Sequence, residues 1–201
     1  MFSEFAEVSS ATWGVIVALL LVGIVVFAVS KDKKRWTARM LANGALCIAL
    51  STVLSFITLY KMPQGGSITL ASMLPMFLFA YAYGVGPGML VGAAYGFVQF
   101  LQGGLYFVHP VELLLDYPLA FAMLGLAGLS NKFSDQWGMI PGIILGTFGR
   151  FVCAFLSGLI FFGMYAPEGQ NVVIYSMVYN GLYLVPEAII CIVLAMIPQI
   201  R

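Results

Sequence analysis

Charge is almost missing from this sequence. Of 201 residues only 8% are charged while 62% are hydrophobic, and the mean hydropathy is +1.01. Such values exclude an ordinary water-soluble domain and fit a chain that crosses a lipid bilayer several times. Cysteine is scarce too: Cys47, Cys153 and Cys191 stand far apart in apolar stretches, with no C-x-x-C and no histidine at ligand spacing. That removes a disulfide framework and a cysteine metal site and leaves packing. No G-x-x-x-x-G-K-[ST] occurs, and the G-x-G at 84–86 lacks the strand and helix of a dinucleotide fold, so the chain is not expected to hydrolyse nucleotide itself. With a net charge of +1 and no basic stripe beyond one short loop, nucleic acid is not an expected partner. An enzyme is not expected either, because H-E-x-x-H is absent and no Ser or Cys nucleophile lies beside the single histidine, His109. No cofactor is implied.

What is present is a series of apolar runs, each near the ~20 residues a helix needs to cross the hydrocarbon. They predict helices at about 12–30, 38–60, 67–83, 87–107, 111–130, 139–166 and 172–199. The first run follows Glu4 and Glu7 and precedes KDKKRW, the reverse of a secretory signal, so it reads as a retained helix. Lys31, Lys33, Lys34, Arg35 and Arg39 fill the first connection. The positive-inside rule places that connection in the cytoplasm, the N-terminus outside and the C-terminus inside a multi-pass protein of the cell membrane. Residues 1–37 then form an N-terminal transmembrane helix with its basic loop, and 38–201 a membrane core. Gly84, Gly88, Gly92 and Gly96 recur at four-residue intervals, a small-residue ridge that lets another backbone approach closely.

Glu112, Asp116, Arg150 and Glu187 fall inside apolar spans. Each costs about 2.5–3.5 kcal/mol or more at mid-bilayer, so each should face the bundle interior. Arg150 and Glu187 lie at matching depth on the last two helices and are expected to pair. Glu112 and Asp116 are one helical turn apart near the outer surface, and their mutual repulsion is relieved by a cationic ligand or by protonation of one of them; a helix cap is the other reading for Glu112. On the last helix Tyr175, Tyr179, Asn180 and Tyr183 lie at a similar depth. Carboxylate, amide and aromatic rings together suit a small, flat, positively charged heterocycle, although an interfacial aromatic belt also accounts for tyrosines there. His109, before a proline, fits a helix start. The outer loop YKMPQGGSITL has the Pro63, Gly65 and Gly66 of a hinge and is expected to act as a lid, or as a plain turn.

The segments PQGGSITLASMLP (63–75), the Gly-rich stretch from Tyr83 to Gly96, HPVELLLDYPLAF (109–121), SGLIFFGMYAPEG (157–169) and YSMVYNG (175–181) occur in order and without large gaps. Together they resemble the thiamine-specific substrate-binding (S) subunit of energy-coupling-factor (ECF) transporters. The resemblance covers about 38–198. It implies an all-α integral membrane fold, a six-helix S-component core to which the 12–30 helix is an addition. It further implies capture of thiamine from outside, and association with a transmembrane coupling subunit and two cytoplasmic ATPase subunits. Carried over by position, it implies that Asp116 bonds the aminopyrimidine, that Tyr117 adds aromatic contact, and that Tyr175, Asn180, Phe162 and Gly158 line the site; Glu112 joins the candidates from its place one turn from Asp116. Ala45 and Ala49 become the face toward the coupling subunit, or an internal packing pair. The pattern departs at Ala154, where a ligand-contacting histidine is expected, and in carrying Asp for Glu at 116 and Phe for Trp at 162. A thiamine precursor or related pyrimidine is thereby left open as ligand, and a solitary proton-coupled thiamine permease as the alternative function.

Overall fold

The computed structural model describes residues 36–103, 109–132 and 138–197. The expected helix at 12–30 and its basic connection at 31–35 lie outside the described residues. The first described helix, α1 (Ala38–Phe56), starts where the Thr37 side chain accepts a hydrogen bond from the Met40 N–H at 3.2 Å, an N-cap that satisfies one orphan donor. Its 19 residues reach about 28 Å, close to the thickness of the hydrocarbon. Leu41, Leu46, Leu50, Val53 and Phe56 stand exposed along it. In water such a face would be a liability; in lipid it is the natural surface.

The chain then departs from the expected helices at 38–60 and 67–83. Helix α1 stops at Phe56, and Thr58–Lys61 (β1) pairs antiparallel with Ser67–Thr69 (β2), with a bulge between Thr58 and Tyr60. Residues 57–60 and 67–70 are apolar enough to read as the ends of membrane helices. Pro63, Gly65 and Gly66 between two short β-prone runs instead favour a turn, with Met62 N–H on the Gly66 carbonyl at 2.6 Å and Gly65 at φ +102°. The next helix, α2 (Leu74–Tyr83), is only ten residues, about 15 Å. Met76, Phe77, Phe79 and Ala80 bury it in the core. It ends at Gly84, whose φ of +95° suits a residue without a side chain.

Helix α3 (Val85–Gln102) carries the glycine ridge, and α4 runs from Pro110 as four segments: α-helical Pro110–Leu114, π-helical Leu115–Leu119, α-helical Ala120–Ala122 and 3-10 Met123–Lys132. The ridge sets how close the two lie. A Cβ on Gly96 would stand 2.5 Å from the Tyr117 carbonyl oxygen, one on Gly92 would strike the Phe121 carbonyl, and one on Gly88 would stand 3.1 Å from the Gly125 Cα. No side chain fits between these backbones. The π turn follows from Pro118, which lacks an N–H and clashes with the carbonyl four residues back; the Ala120 N–H reaches the Leu115 carbonyl five residues back instead. Helices α5 (Met139–Phe161) and α6 (Val172–Ala195) are both long enough to span, and a short 3-10 turn, Gly163–Tyr165, lies between them. The six helices surround a core that includes Phe77, Tyr95, Leu124, Ile143 and Leu184.

Candidate functional site

The start of α4 is a capping box. His109 Nδ1 accepts from the Val111 N–H at 3.1 Å, and Glu112 Oε2 accepts from the His109 N–H at 3.3 Å. The imidazole stacks on Phe161 of α5, with centroids 5.2 Å apart. Glu112 is thus buried and turned back onto its own helix start, the cap reading of the two left open above.

Four residues on, the π turn presents Asp116 and Tyr117 to different neighbours. Asp116 Oδ2 accepts from the fully buried Ser157 hydroxyl of α5 at 2.8 Å. The Tyr117 ring meets Phe100 of α3 edge-on, with centroids 5.4 Å apart. Beyond Ser157, α5 crosses α6 at very short range. A Cβ on Gly158 would stand 3.2 Å from Asn180 Nδ2 and would strike the Ser176 hydroxyl. Asn180 Nδ2 donates to the Ala154 carbonyl at 3.2 Å and to the Ser176 carbonyl at 2.9 Å, and Asn180 Oδ1 accepts from the Tyr183 hydroxyl at 2.9 Å. Where a histidine was expected, Ala154 contributes its backbone oxygen to this crossing.

Above the crossing, Tyr175, Tyr179 and Tyr183 form a ladder of rings, 5.9 Å apart at the first step and 6.1 Å at the second. The tip of the β-hairpin seats on it. The Gln64 N–H donates to the Tyr179 hydroxyl at 3.0 Å, and a Cβ on Gly66 would stand 2.7 Å from the Tyr183 ring. Phe162, at the end of α5, leans on Tyr165 with centroids 6.0 Å apart. The site therefore joins α4, α5 and α6 under a hairpin.

One expectation needs correction. Arg150 and Glu187 do not pair: the Arg150 guanidinium lies 4.1 Å above the Phe121 ring of α4, and Glu187 Oε1 accepts from the Thr69 and Ser72 hydroxyls at 2.6 and 2.8 Å. The aromatic face takes the cation and two hydroxyls take the anion, so neither is left in the bundle without a partner.

A carboxylate, an amide and a tyrosine ladder inside a membrane bundle call for comparison with known transport proteins. The sequence model of the family described as Thiamine transporter protein (Thia_YuaJ) matches residues 41–201. The chain belongs to this family. It is 36% identical over 160 residues to the thiamine transporter ThiT of Bacillus subtilis, covering 73% of this chain and 83% of that protein. It is 32% identical over 123 residues to ThiT of Lacticaseibacillus paracasei, covering 54% of this chain and 61% of that protein. A solved structure of ThiT from Listeria monocytogenes superposes with a TM-score of 0.66 at 28% identity, over 80% of this chain and 96% of that one. The thiamine transporter family is not an enzyme class, and its member here is a multi-pass membrane protein with an all-helical membrane core.

Two features of the family member escaped the sequence reading. Ser157 was not foreseen as the partner of Asp116, because a serine in a membrane helix is common and carries no signal of its own. The second is a polar cluster joining α1 to α3. Gln99 Nε2 donates to the Tyr95 hydroxyl at 2.9 Å and to Gln102 Oε1 at 3.0 Å, and the Tyr95 hydroxyl donates to the Ser51 carbonyl at 3.1 Å. Two glutamines three apart in an apolar helix were the available signal.

Proposed function

We propose that this chain is the substrate-capture subunit of an ATP-driven ECF-type importer, taking thiamine or a close pyrimidine precursor from the extracellular side. The state of Asp116 carries the reading. A carboxylate offers about four acceptor positions, yet among the described residues Asp116 takes one hydrogen bond, from Ser157. Glu112 and Glu187, by contrast, are engaged in a helix cap and at the hairpin base. A membrane-embedded carboxylate with spare capacity is costly until a donor or a cation completes it. Thiamine brings both, an aminopyrimidine and a thiazolium ring.

In this reading Asp116 accepts from the aminopyrimidine while keeping Ser157. Tyr175 and Phe162 supply ring faces from α6 and α5, Asn180 offers the remaining lone pair of its amide oxygen, and Gly158 holds the crossing tight. Tyr117 contributes only by turning from Phe100. Glu112 acts one step removed, by holding the start of α4. The hairpin is the lid: the tip is attached by one hydrogen bond, a glycine contact and the packing of Met62, all neutral contacts that can release as ligand enters. The basic connection before α1 orients the hairpin outward, with the N-terminus outside and residues 1–37 as an addition to the core.

An exposed face supports the reading of the partners. Ala45 and Ala49 lie on the outside of α1, not in its packed interior, and Ala45 lines an apolar groove with Leu41, Gly44, Leu90 and Ala94. Small residues at a lipid-facing groove suit close approach by another membrane helix, here that of the coupling subunit. Hydrolysis then belongs to the two separate ATPase subunits. Calorimetric titration of the purified protein with thiamine, its phosphates and its pyrimidine precursors tests the ligand; no binding to any of them ends the proposal. Thiamine uptake by vesicles holding this chain alone, abolished by an uncoupler, would replace the importer with a proton-coupled permease.

A further inference from the structure

We infer that Glu187 is a positioning residue that clamps the base of the hairpin, so that the tip lifts and settles over the site about a pivot at residues 69–72. The inference rests on the hairpin being the lid of the proposed site. Tyr175, Tyr179, Tyr183 and Glu187 follow one another at four-residue intervals and so form one stripe of α6. The upper part of the stripe touches the hairpin tip, through Gln64 on Tyr179 and Gly66 against Tyr183. Its last member holds the base.

The two attachments differ in kind. At the base, the Thr69 and Ser72 hydroxyls converge on one carboxylate oxygen, at 2.6 and 2.8 Å, with Glu187 only 1% exposed. The Ser72 N–H also donates to Thr69 Oγ1 at 3.2 Å. Between them Ala71 sits at φ +59°, a left-handed conformation that a residue with a Cβ adopts at a cost, and it is 1% exposed. Such a turn persists only where its surroundings hold it. Glu187 supplies that hold with two charge-assisted bonds away from water. At the tip the attachments are neutral: one backbone N–H meets the half-buried Tyr179, Gly66 rests against the Tyr183 ring and Met62 packs on the edge of the core, while β1 is exposed along its whole length. A base held by a buried carboxylate and a tip held by neutral contacts make a lever.

The test compares Glu187→Gln, whose amide oxygen can still accept both hydroxyl bonds, with Glu187→Leu, which accepts neither. Two quantities are read: hydrogen exchange of residues 57–73 in ligand-free protein, and the association and dissociation rates of radiolabelled thiamine. Glu187→Leu is expected to speed exchange at 67–73 and to raise the thiamine dissociation rate at least tenfold with association little changed, while Glu187→Gln, which keeps the bonds without the charge, falls between wild type and the Leu variant in both. Unchanged exchange in Glu187→Leu overturns the clamp, and so does a Gln variant as impaired as the Leu variant. The Thr69→Val/Ser72→Ala double variant removes the same bonds from the other side and is scored by the same criteria should Glu187→Leu fail to fold. Exchange is read without ligand, so a wild-type protein that bound no thiamine would sink the functional reading while the clamp was still decided.

Discussion

Asp116→Asn is the sharpest perturbation of the proposed site because it changes charge with almost no change of shape. The asparagine oxygen can still accept from Ser157, which in the wild type donates at 2.8 Å, so the α4–α5 contact survives. What disappears is the negative charge toward the ligand, and the new NH2 group opposes the amino group of a pyrimidine as donor against donor. Hydrogen bonds to charged groups contribute about 1.5–3 kcal/mol against about 0.5–1.5 between neutral ones. At about 1.4 kcal/mol per decade, the loss is tenfold or more in thiamine affinity. Calorimetry on detergent-purified protein measures it, with the thermal midpoint as the check that the fold is intact. Asp116→Ala is the contrasting case: it also strips the fully buried Ser157 hydroxyl of its acceptor, at about 1–3 kcal/mol of stability. If Asp116→Asn binds thiamine as tightly as wild type, the ligand does not use this carboxylate and the proposed pocket is wrong.

Pro118→Ala restores an N–H inside the π turn and lets it close toward a regular α-helix, so the thermal midpoint should rise by several degrees, at about 2–4 °C per kcal/mol, while thiamine affinity falls; a rise with no loss of affinity would show that the π turn does not present Asp116. Tyr179→Phe removes the acceptor of the Gln64 N–H and should raise the thiamine dissociation rate roughly two- to tenfold, the weight of one hydrogen bond, read by filter binding of labelled ligand. Ala45→Leu together with Ala49→Leu should leave thiamine titration unchanged but abolish co-purification with the proposed coupling subunit, since both positions are exposed on α1. Gly92→Ala, whose Cβ would strike the Phe121 carbonyl, should force α3 and α4 apart and lower the thermal midpoint, by about 1–3 kcal/mol of overpacking.

The parts of this protein that were legible in its sequence are those where one residue type has few other uses. A carboxylate in a membrane span is one, and Asp116 drew attention on charge alone. Glycines at four-residue intervals are another: Gly88, Gly92 and Gly96 do meet backbone, although Gly84 serves as a helix end with positive φ. The hairpin was only half legible. Pro63, Gly65 and Gly66 marked a flexible outer turn, but Ile57, Leu59, Tyr60 and Ile68 are as apolar as helix residues, and hydropathy alone does not distinguish a strand lying over a bundle from a helix within it. Ser157 was illegible because its meaning depends on which residue of α4 faces it.

The misplaced pairing of Arg150 with Glu187 shows what depth counting lacks. Counting residues inward along antiparallel helices gives height, and rotation about the helix axis decides the neighbour. Glu187 follows Tyr183 by four residues, so it shares the stripe whose earlier members meet the hairpin, and the hydroxyls of Thr69 and Ser72 reach it there. Arg150 faces α4, where the Phe121 ring takes its charge. That rotation divides the acids of the bundle by role. Glu112 accepts from a protein donor at a helix start and Glu187 from two at a hairpin base. Asp116, which among the described residues accepts from one hydroxyl in a π turn that α3 supports through Gly96, is the acid that the proposed cationic ligand would complete, and a ligand shifts an equilibrium only through such differential contacts.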